Sequence, residues 1–438
     1  MSLPQTERKS EMETKAVRAF CEKEGAPLSG MAHQIKDMAG FGFLMLRTGL
    51  GLTQCVLNKE QLQGVTEGCA LRVYGERVED ERAPGGYELR ASRVEVLSRP
   101  SSPLPPQIGK YNLGMALENE LGIRPVSLRN LKKRAVFKVQ EGIVRGFRDY
   151  LLAQGFTEIH SPKLGLSGAE GGANMFRLPY FGDTVAVLAQ SPQFYKQIMV
   201  GVFGRVFEVG PVFRAEKHAT ARHLNEYTSL DFEMGFIDSE KDVMAMETGM
   251  LQAVVELLQA EYAPQLKLLR AELPRIDEIP YIEFTQAKEA VAARFNRRIR
   301  DPYDLEPEEE QLISRMVLEE TGSRFCFVTR YPSKKRPFYA MDDWDDAKYT
   351  RSFDLLFDGL EITTGGQRVH EYGQQVQKLL DRGMNPAEFE DFLMIHKYGM
   401  PPHGGLGIGL ERLTMKFLGL QNIREASLFP RDINRLRP

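Results

Sequence analysis

Cysteine is scarce in this chain of 438 residues. Its four copies, Cys21, Cys55, Cys69 and Cys326, lie far apart, with no C-x-x-C pair and no adjacent histidine cluster. That pattern argues against a zinc site and leaves free thiols in a reducing cytosol as the simplest reading. Long apolar runs are missing too, and MSLPQTERKSEMETK at the amino terminus lacks the apolar core of a secretory signal. A cytoplasmic protein without a membrane partner is expected. Nor is there an excess of charge of one sign: 57 basic residues face 60 acidic ones. Such a balance neither demands nor excludes a nucleic-acid partner, because a basic patch can sit inside a neutral total. Two common nucleotide signatures are also absent. There is no G-x-x-x-x-G-K-[ST] loop, and no G-x-G-x-x-G opens a helix after a strand.

What is present divides near residue 100. From Leu28 to Val96 the segments are short, rich in β-branched and aromatic residues, and punctuated by glycine, as in FGFLMLRTGLGLTQCVL and GYELRASRVEVL. That spacing predicts a small all-β barrel over residues 1–100, although EGAPLS, before Gly30, is a poor strand. The Pro- and Ser-rich SRPSSPLPPQIG begins a linker, placed at 101–130. LKKRAVFKVQEGIVRGFRDYLLAQGF then has helical apolar spacing ending at Gly155, and Ser239 with Asp242 has the spacing of a capping box. Residues 131–438 are expected to form one α+β domain.

Three segments of that domain carry chemistry. VFEVGPVFRAEKHATARHLNEYTSLDFEMGF (206–236) reads as strand, polar loop, strand. Its loop holds Lys217, His218, Arg222 and His223, and Arg214 ends the first strand. A solvated hairpin tip is the ordinary explanation, but this many cations also suit a polyphosphate. SFDLLFDGLEITTGGQRVH (352–370) offers Asp354, Glu361 and Thr364, two carboxylates and a hydroxyl able to hold Mg²⁺ on a triphosphate. HGGLGIGLERLTM (403–415) places Arg412 where a glycine-rich strand meets an apolar helix, a position from which a guanidinium can lie on a purine. Together they describe an antiparallel nucleotide site that is not a P-loop.

In that order the motifs resemble the class II aminoacyl-tRNA synthetases, specifically the archaeal-type aspartyl-tRNA synthetases. GFTEIHSPKL, with Pro162, is similar to motif 1. FRAE…RHLNE is similar to motif 2 and GIGLERLTM to motif 3, with LFPRD (428–432) as the closing segment. The resemblance covers nearly the whole chain. It implies an OB-fold anticodon-binding barrel and a class II catalytic domain built on an antiparallel sheet flanked by helices. It also implies activation of L-aspartate by ATP with Mg²⁺, followed by transfer to tRNA(Asp). Arg214, Glu216, His223 and Arg412 would carry the chemistry. Arg222, Leu224, Tyr227, Glu361 and Gly409 would complete the ATP site, with Tyr227 and Arg412 on opposite faces of adenine. Asp354, Glu361 and Thr364 fall on the metal positions, threonine standing where the family often has serine. A homodimer through motif 1 is expected by the same resemblance.

QSPQFYKQ (190–197) resembles the family's amino-acid pocket, where Lys196 and Arg368 would neutralise the β-carboxylate of aspartate. Gln193 and Asp231 would receive the α-amino group. Thr364 is placed in the aspartate site as well, and Glu170 resembles the glutamate of a mobile loop that closes over substrate. The related asparaginyl enzymes usually lack this lysine, so Lys196 favours aspartate. In the barrel, Phe43 matches a base-stacking phenylalanine, Gln54 a base-reading glutamine, and Arg47 lies on the same stretch. Met31 and Thr48 depart from the family pattern. His33 and Pro84 are similar to residues of relaxed members that also charge tRNA(Asn), whose product a separate amidotransferase converts. The alternatives are a strict tRNA(Asp) enzyme, an asparaginyl enzyme, a tRNA-independent amide ligase, and a non-catalytic tRNA-binding paralogue.

Overall fold

The computed structural model describes residues 27–49, 51–105, 108–166, 174–217 and 220–437. Glu170, Cys21 and His218 lie outside these residues. The chain falls into two compact units, residues 1–131 and 132–438.

In the first unit five strands close a barrel in the order β1-β2-β3-β5-β4: β1 Leu28–Asp37, β2 Phe41–Arg47, β3 Leu52–Asn58, β4 Ala70–Glu79 and β5 Tyr87–Ser98. Alternation sorts each strand between the interior and the surface. Along β2, Leu44 and Leu46 are fully buried, whereas Phe41, Phe43, Met45 and Arg47 face outward. Cys55 and Leu57 do the same for β3. The weak segment before Gly30 does form strand from Leu28, because Leu28 to Met31 pair with β4. Cross-strand pairing here overrides a poor local propensity. Within 101–130 the chain makes two short helices, Leu117–Gly122 and Arg124–Ser127, joined by a buried ion pair of Arg124 with Glu120 at 2.9 Å.

The second unit is organised by an eight-stranded sheet. Its members, in chain order, are β6 Thr157–Glu158, β10 Arg205–Phe213, β11 Glu226–Gly235, β12 Tyr281–Glu283, β13 Phe325–Thr329, β14 Ser352–Phe357, β15 Leu360–Arg368 and β16 His403–Gly409. Between β6 and β10 the chain makes β7 Leu164–Gly165, β8 Arg177–Pro179 and β9 Val185–Leu188, a separate small sheet. The large sheet runs β12-β13-β14-β15-β16-β11-β10-β6, antiparallel except for the parallel pairs β12/β13 and β10/β6 at its two edges.

One face of this sheet is apolar. Leu230 and Phe232 of β11, Phe353 and Leu355 of β14, and Leu406 and Ile408 of β16 all point into the main core. The helices Leu131–Ala153 and Glu240–Glu261 pack on it, the second opened by the capping box of Ser239 and Asp242. Period-two alternation then forces the intervening residues onto the opposite face: Ser229, Asp231 and Glu233 of β11, Ser352 and Asp354 of β14, and Gly405, Gly407 and Gly409 of β16. A bulge in β15 between Glu361 and Thr363, opposite Leu356 and Leu355, brings Glu361 onto that face together with Thr364 and Arg368.

Candidate active site

The polar face of the sheet floors a cavity of about 360 Å³. Of the candidates from the catalytic half that lie among the described residues, Gln193, Lys196, Arg214, Glu216, Arg222, His223, Leu224, Tyr227, Asp231, Asp354, Glu361, Thr364, Arg368, Gly409 and Arg412 line it, whereas the loop cation Lys217 does not.

At one end four charges are buried together. Lys196, on the helix Gln193–Phe203, is 1% exposed. Its Nζ donates to Asp231 Oδ1 at 2.9 Å and to the Leu406 carbonyl at 2.7 Å, and lies 3.3 Å from Glu233 Oε2. Arg368 donates from Nε to Glu233 Oε1 at 2.9 Å and from Nη2 to the Gly405 carbonyl at 2.8 Å. Burial works against the Glu233 carboxylate, but Arg368 and Lys196 outweigh it and hold the group below the usual carboxylate range. Asp231 also accepts from the Ser229 hydroxyl.

The reach of Glu233 to Arg368 depends on what stands between them. β16 runs between β11 and β15, so the two residues sit two strand spacings apart, about 9–10 Å. Gly405, opposite both Glu233 and Gly366, carries no side chain; a Cβ there would meet Glu233 Oε2 at 2.3 Å and the Phe232 carbonyl at 2.1 Å. The glycine run of β16 is therefore a bare floor across which side chains from two flanking strands join. Behind it, Gln197 and the buried His403 are in contact at 3.1 Å, tying the Lys196 helix to the sheet, and burial holds the His403 ring down at about 4.

The wider end of the cavity is set by the β10–β11 hairpin and β15. Arg214 lies over the Tyr227 ring at 5.9 Å. His223 Nε2 is 3.5 Å from Glu216 Oε2, and Arg222 Nη2 donates to Glu310 Oε2 at 2.5 Å. Arg412 donates to the Glu361 carbonyl at 2.9 Å. Burial raises Glu310 to about 7 against the pull of Arg222. Asp354, beside Thr364 in the β14/β15 ladder, is raised to about 6 by burial, opposed by Arg336 and reinforced by Glu361. Its Oδ2 meets Arg336 Nη2 at 2.8 Å, whereas its buried Oδ1 has no hydrogen-bond partner.

No group of three or more His, Cys, Asp or Glu side chains poised for a metal exists among the described residues. Two carboxylates, one of them with the unsatisfied Oδ1, and the Thr364 hydroxyl nonetheless fit a Mg²⁺ that draws its remaining ligands from phosphate and water, the usual manner for that ion.

The barrel candidates are placed less uniformly. Phe43 is half-buried on the outer surface, edge-on to the exposed Phe41 at 5.2 Å, rather than in the barrel core. Gln54, also outward, donates to Glu88 Oε2 at 3.1 Å, and Arg47 donates to the Arg129 carbonyl at 2.7 Å. Pro84 is exposed in the turn between β4 and β5. His33 does not fit a surface role as the chain stands. It is 2% exposed, at the β1 bulge where the pairing with β2 shifts between Ala32 and Gln34.

Sequence reading missed Glu233, Glu310, Arg336 and Tyr331. Glu233 had a signal, a second carboxylate two residues after Asp231 in an apolar strand. Arg336 had none, being one of three adjacent basic residues in PSKKRPFY.

Comparison with known proteins decides the family. The model of class II tRNA synthetases (D, K and N) matches residues 117–433, and that of the OB-fold nucleic acid binding domain matches 28–97. The chain belongs to the class II tRNA synthetases. Within that family it is 45% identical to the aspartate–tRNA(Asp/Asn) ligase of Deinococcus radiodurans, over 95% of this chain and 96% of that protein. It is 47% identical to the protein of the same name from Thermus thermophilus, over 94% and 96%. The aspartate–tRNA(Asp) ligase of Pyrococcus abyssi is 37% identical over 94% and 95%. Among solved structures, the asparaginyl-tRNA synthetase of Pyrococcus horikoshii with asparaginyl-adenylate superposes with a TM-score of 0.86 at 31% identity, covering 94% of this chain and 96% of that one. The expected family and the expected architecture, barrel plus sheet-based synthetase domain, both hold.

Proposed function

We propose that this class II synthetase is an aspartate–tRNA ligase that accepts tRNA(Asp) and also tRNA(Asn). The observation that carries aspartate is the charge balance at the closed end of the cavity. Lys196 and Arg368 face Asp231 and Glu233, two cations against two carboxylates. L-aspartate brings an ammonium for Asp231, assisted by Gln193, and a β-carboxylate for Lys196 and Arg368, so the pocket stays neutral. Asparagine brings the ammonium alone and leaves a buried positive charge, a penalty of several kcal/mol.

In the first step an α-carboxylate oxygen of aspartate attacks the α-phosphorus of ATP, and the bond to the bridging oxygen of pyrophosphate breaks. Arg214 faces the α-phosphate, with Arg222 and His223 towards the outer phosphates. Glu216, Leu224, Tyr227, Gly409 and Arg412 form the adenine end. Asp354, Glu361 and Thr364 would hold Mg²⁺, which shields phosphate charge when bound. No protein nucleophile is required; placement and charge neutralisation supply the rate. In the second step a terminal ribose hydroxyl of tRNA attacks the carbonyl carbon, AMP leaves, and the hydroxyl proton departs with it or to water. Glu170 is assigned to closure over the substrate.

The outward aromatic and polar side chains Phe43 and Gln54 support anticodon contact, with Arg47 and Pro84 nearby and His33 acting from beneath the surface. Charging of both tRNAs is supported by the names of the D. radiodurans and T. thermophilus relatives. A homodimer is supported by exposed apolar residues on and beside the small sheet, among them Leu166, Phe181 and Val185. The buried free thiols Cys55, Cys69 and Cys326 suit the cytoplasm, and a downstream amidotransferase would consume aspartyl-tRNA(Asn).

The test is charging with labelled aspartate on separate transcripts of the two tRNAs, beside aspartate- and asparagine-dependent pyrophosphate exchange. Comparable kcat/KM on both transcripts, with exchange specific to aspartate, is the expected result. Charging of tRNA(Asp) alone refutes the broad tRNA range, and exchange driven by asparagine refutes the substrate.

A further inference from the structure

Arg336 is, with Lys335, one of two cations on the cavity wall that no synthetase motif explains. It sits in the segment between β13 and β14, with its guanidinium 3.8 Å above the Tyr331 ring and its side chain 11% exposed. Its Nη2 touches Asp354 Oδ2 at 2.8 Å, yet neither Nε nor Nη2 completes a hydrogen bond. The contact is an ion pair with uncommitted donors facing the site. Asp354 in turn has one oxygen against Arg336, while the other, Oδ1, is buried and completes no hydrogen bond, with the Tyr331 hydroxyl also bearing on the carboxylate.

We propose that Arg336 is an exchangeable counter-ion: it neutralises Asp354 until a divalent cation binds there, and then turns its free donors to the outer phosphates of the nucleotide. The proposal rests on the reading of Asp354 and Glu361 as metal carboxylates and deepens it. Three observations support it. Asp354 and Glu361 lie on adjacent strands, so the buried Asp354 carboxylate has a second, more exposed carboxylate nearby and needs positive charge close by. Asp354 offers one carboxylate group, so Arg336 and a dication compete for it. Stacking on Tyr331 holds the guanidinium plane in place while leaving its N–H edge free to change partners. Lys335, beside it on the cavity wall, is tied at 3.5 Å to Asp301 and to Asp304 and is less free to serve.

Metal and Arg336 are then thermodynamically linked. Metal alone on Oδ1 must share the carboxylate with the guanidinium on Oδ2 and meets its positive charge, whereas metal with ATP gives the guanidinium a new anion. Mn²⁺ binding should therefore be weak without nucleotide and strengthened by ATP, and the strengthening should require Arg336.

The experiment measures Mn²⁺ binding to the full-length protein by the loss of free-ion electron paramagnetic resonance signal, with and without ATP, and measures ATP affinity separately. Arg336→Gln should bind Mn²⁺ alone more tightly, on the order of tenfold, and ATP with Mn²⁺ more weakly by a similar factor. Arg336→Lys keeps the charge but not the forked donors. It should leave Mn²⁺ alone near wild type and still weaken ATP binding. Unchanged or weaker binding of Mn²⁺ alone by Arg336→Gln overturns the proposal, as does wild-type ATP affinity in Arg336→Lys. Asp354→Asn tests the underlying reading. If it leaves ATP-dependent Mn²⁺ binding intact, the metal assignment itself fails, whatever the Arg336 variants do.

Discussion

Lys196 Nζ lies 3.3 Å from Oε2 of Glu233, a carboxylate that also receives Arg368 and is fully buried. On the proposed assignment, substrate carboxylate and protein carboxylate draw on the same two cations. The pocket arrives at its substrate already neutralised, which offsets the cost of placing Lys196 in the interior.

Replacing Lys196 by Met should remove most aspartate activation. Breaking a buried pair costs roughly 3–5 kcal/mol, so kcat/KM for aspartate in pyrophosphate exchange should fall about 150- to 4,000-fold. The KM for ATP should change little. A fall of less than a few-fold in a folded variant would remove Lys196 from the specificity set.

Glu233→Gln acts on the other side of that balance. It leaves Lys196 and Arg368 facing Asp231 alone, so the free protein should melt below wild type. L-aspartate should then raise Tm by more than it raises that of wild type, because its carboxylate replaces the lost charge. An equal aspartate-induced shift in both proteins would contradict the shared-cation account.

Glu247, on the far face of the sheet, accepts from the Thr363 hydroxyl at 2.5 Å, and burial pushes it up to about 8 from 4.5. A folded value above the unfolded one means stability is full below pH 4.5 and declines as pH rises through about 8. Glu247→Gln keeps an acceptor for Thr363 without an ionisable group. It should match wild type near pH 5 and exceed it in Tm at pH 8 and above. Parallel melting curves across that range would count against a protonated Glu247.

Phe43→Ala should separate the two halves of the activity. Stacking of one base on an aromatic ring is worth about 1–3 kcal/mol, so kcat/KM for tRNA should drop roughly 5- to 150-fold. Aspartate-dependent pyrophosphate exchange, which needs no tRNA, should stay at its wild-type rate. If charging survives unchanged, the base-stacking assignment fails.

Much of this was legible in the sequence because it follows short-range periodicity. The strand–loop–strand of 206–236, the helix ending at Gly155 and the capping box at Ser239 all rest on spacings of two to four residues. Lys196, Asp231 and Arg368 could be chosen for the amino-acid pocket by resemblance. What could not be read was which partners fold back on them. Glu233 meets Arg368 only because β16 is inserted between β11 and β15, a pairing between residues 135 apart in the chain. The bulge in β15 likewise leaves no mark on the alternation of ITTGG. The burial of His33 follows from another bulge, in β1, and Arg336 depends on a long connection whose path no local pattern dictates.

The bare glycine floor of β16 has a consequence for how such a site can change. A loop-built pocket can be reshaped one residue at a time while the scaffold looks on. Here the groups proposed to select the amino acid span the central strands themselves, and Gly405 has no room for even a methyl group beside Glu233. Amino-acid choice and sheet integrity share the same atoms, so drift in the first is checked by loss of the second. The outer surface of the barrel is under no such restraint, so on the proposed assignment tRNA range can change without disturbing the amino-acid pocket.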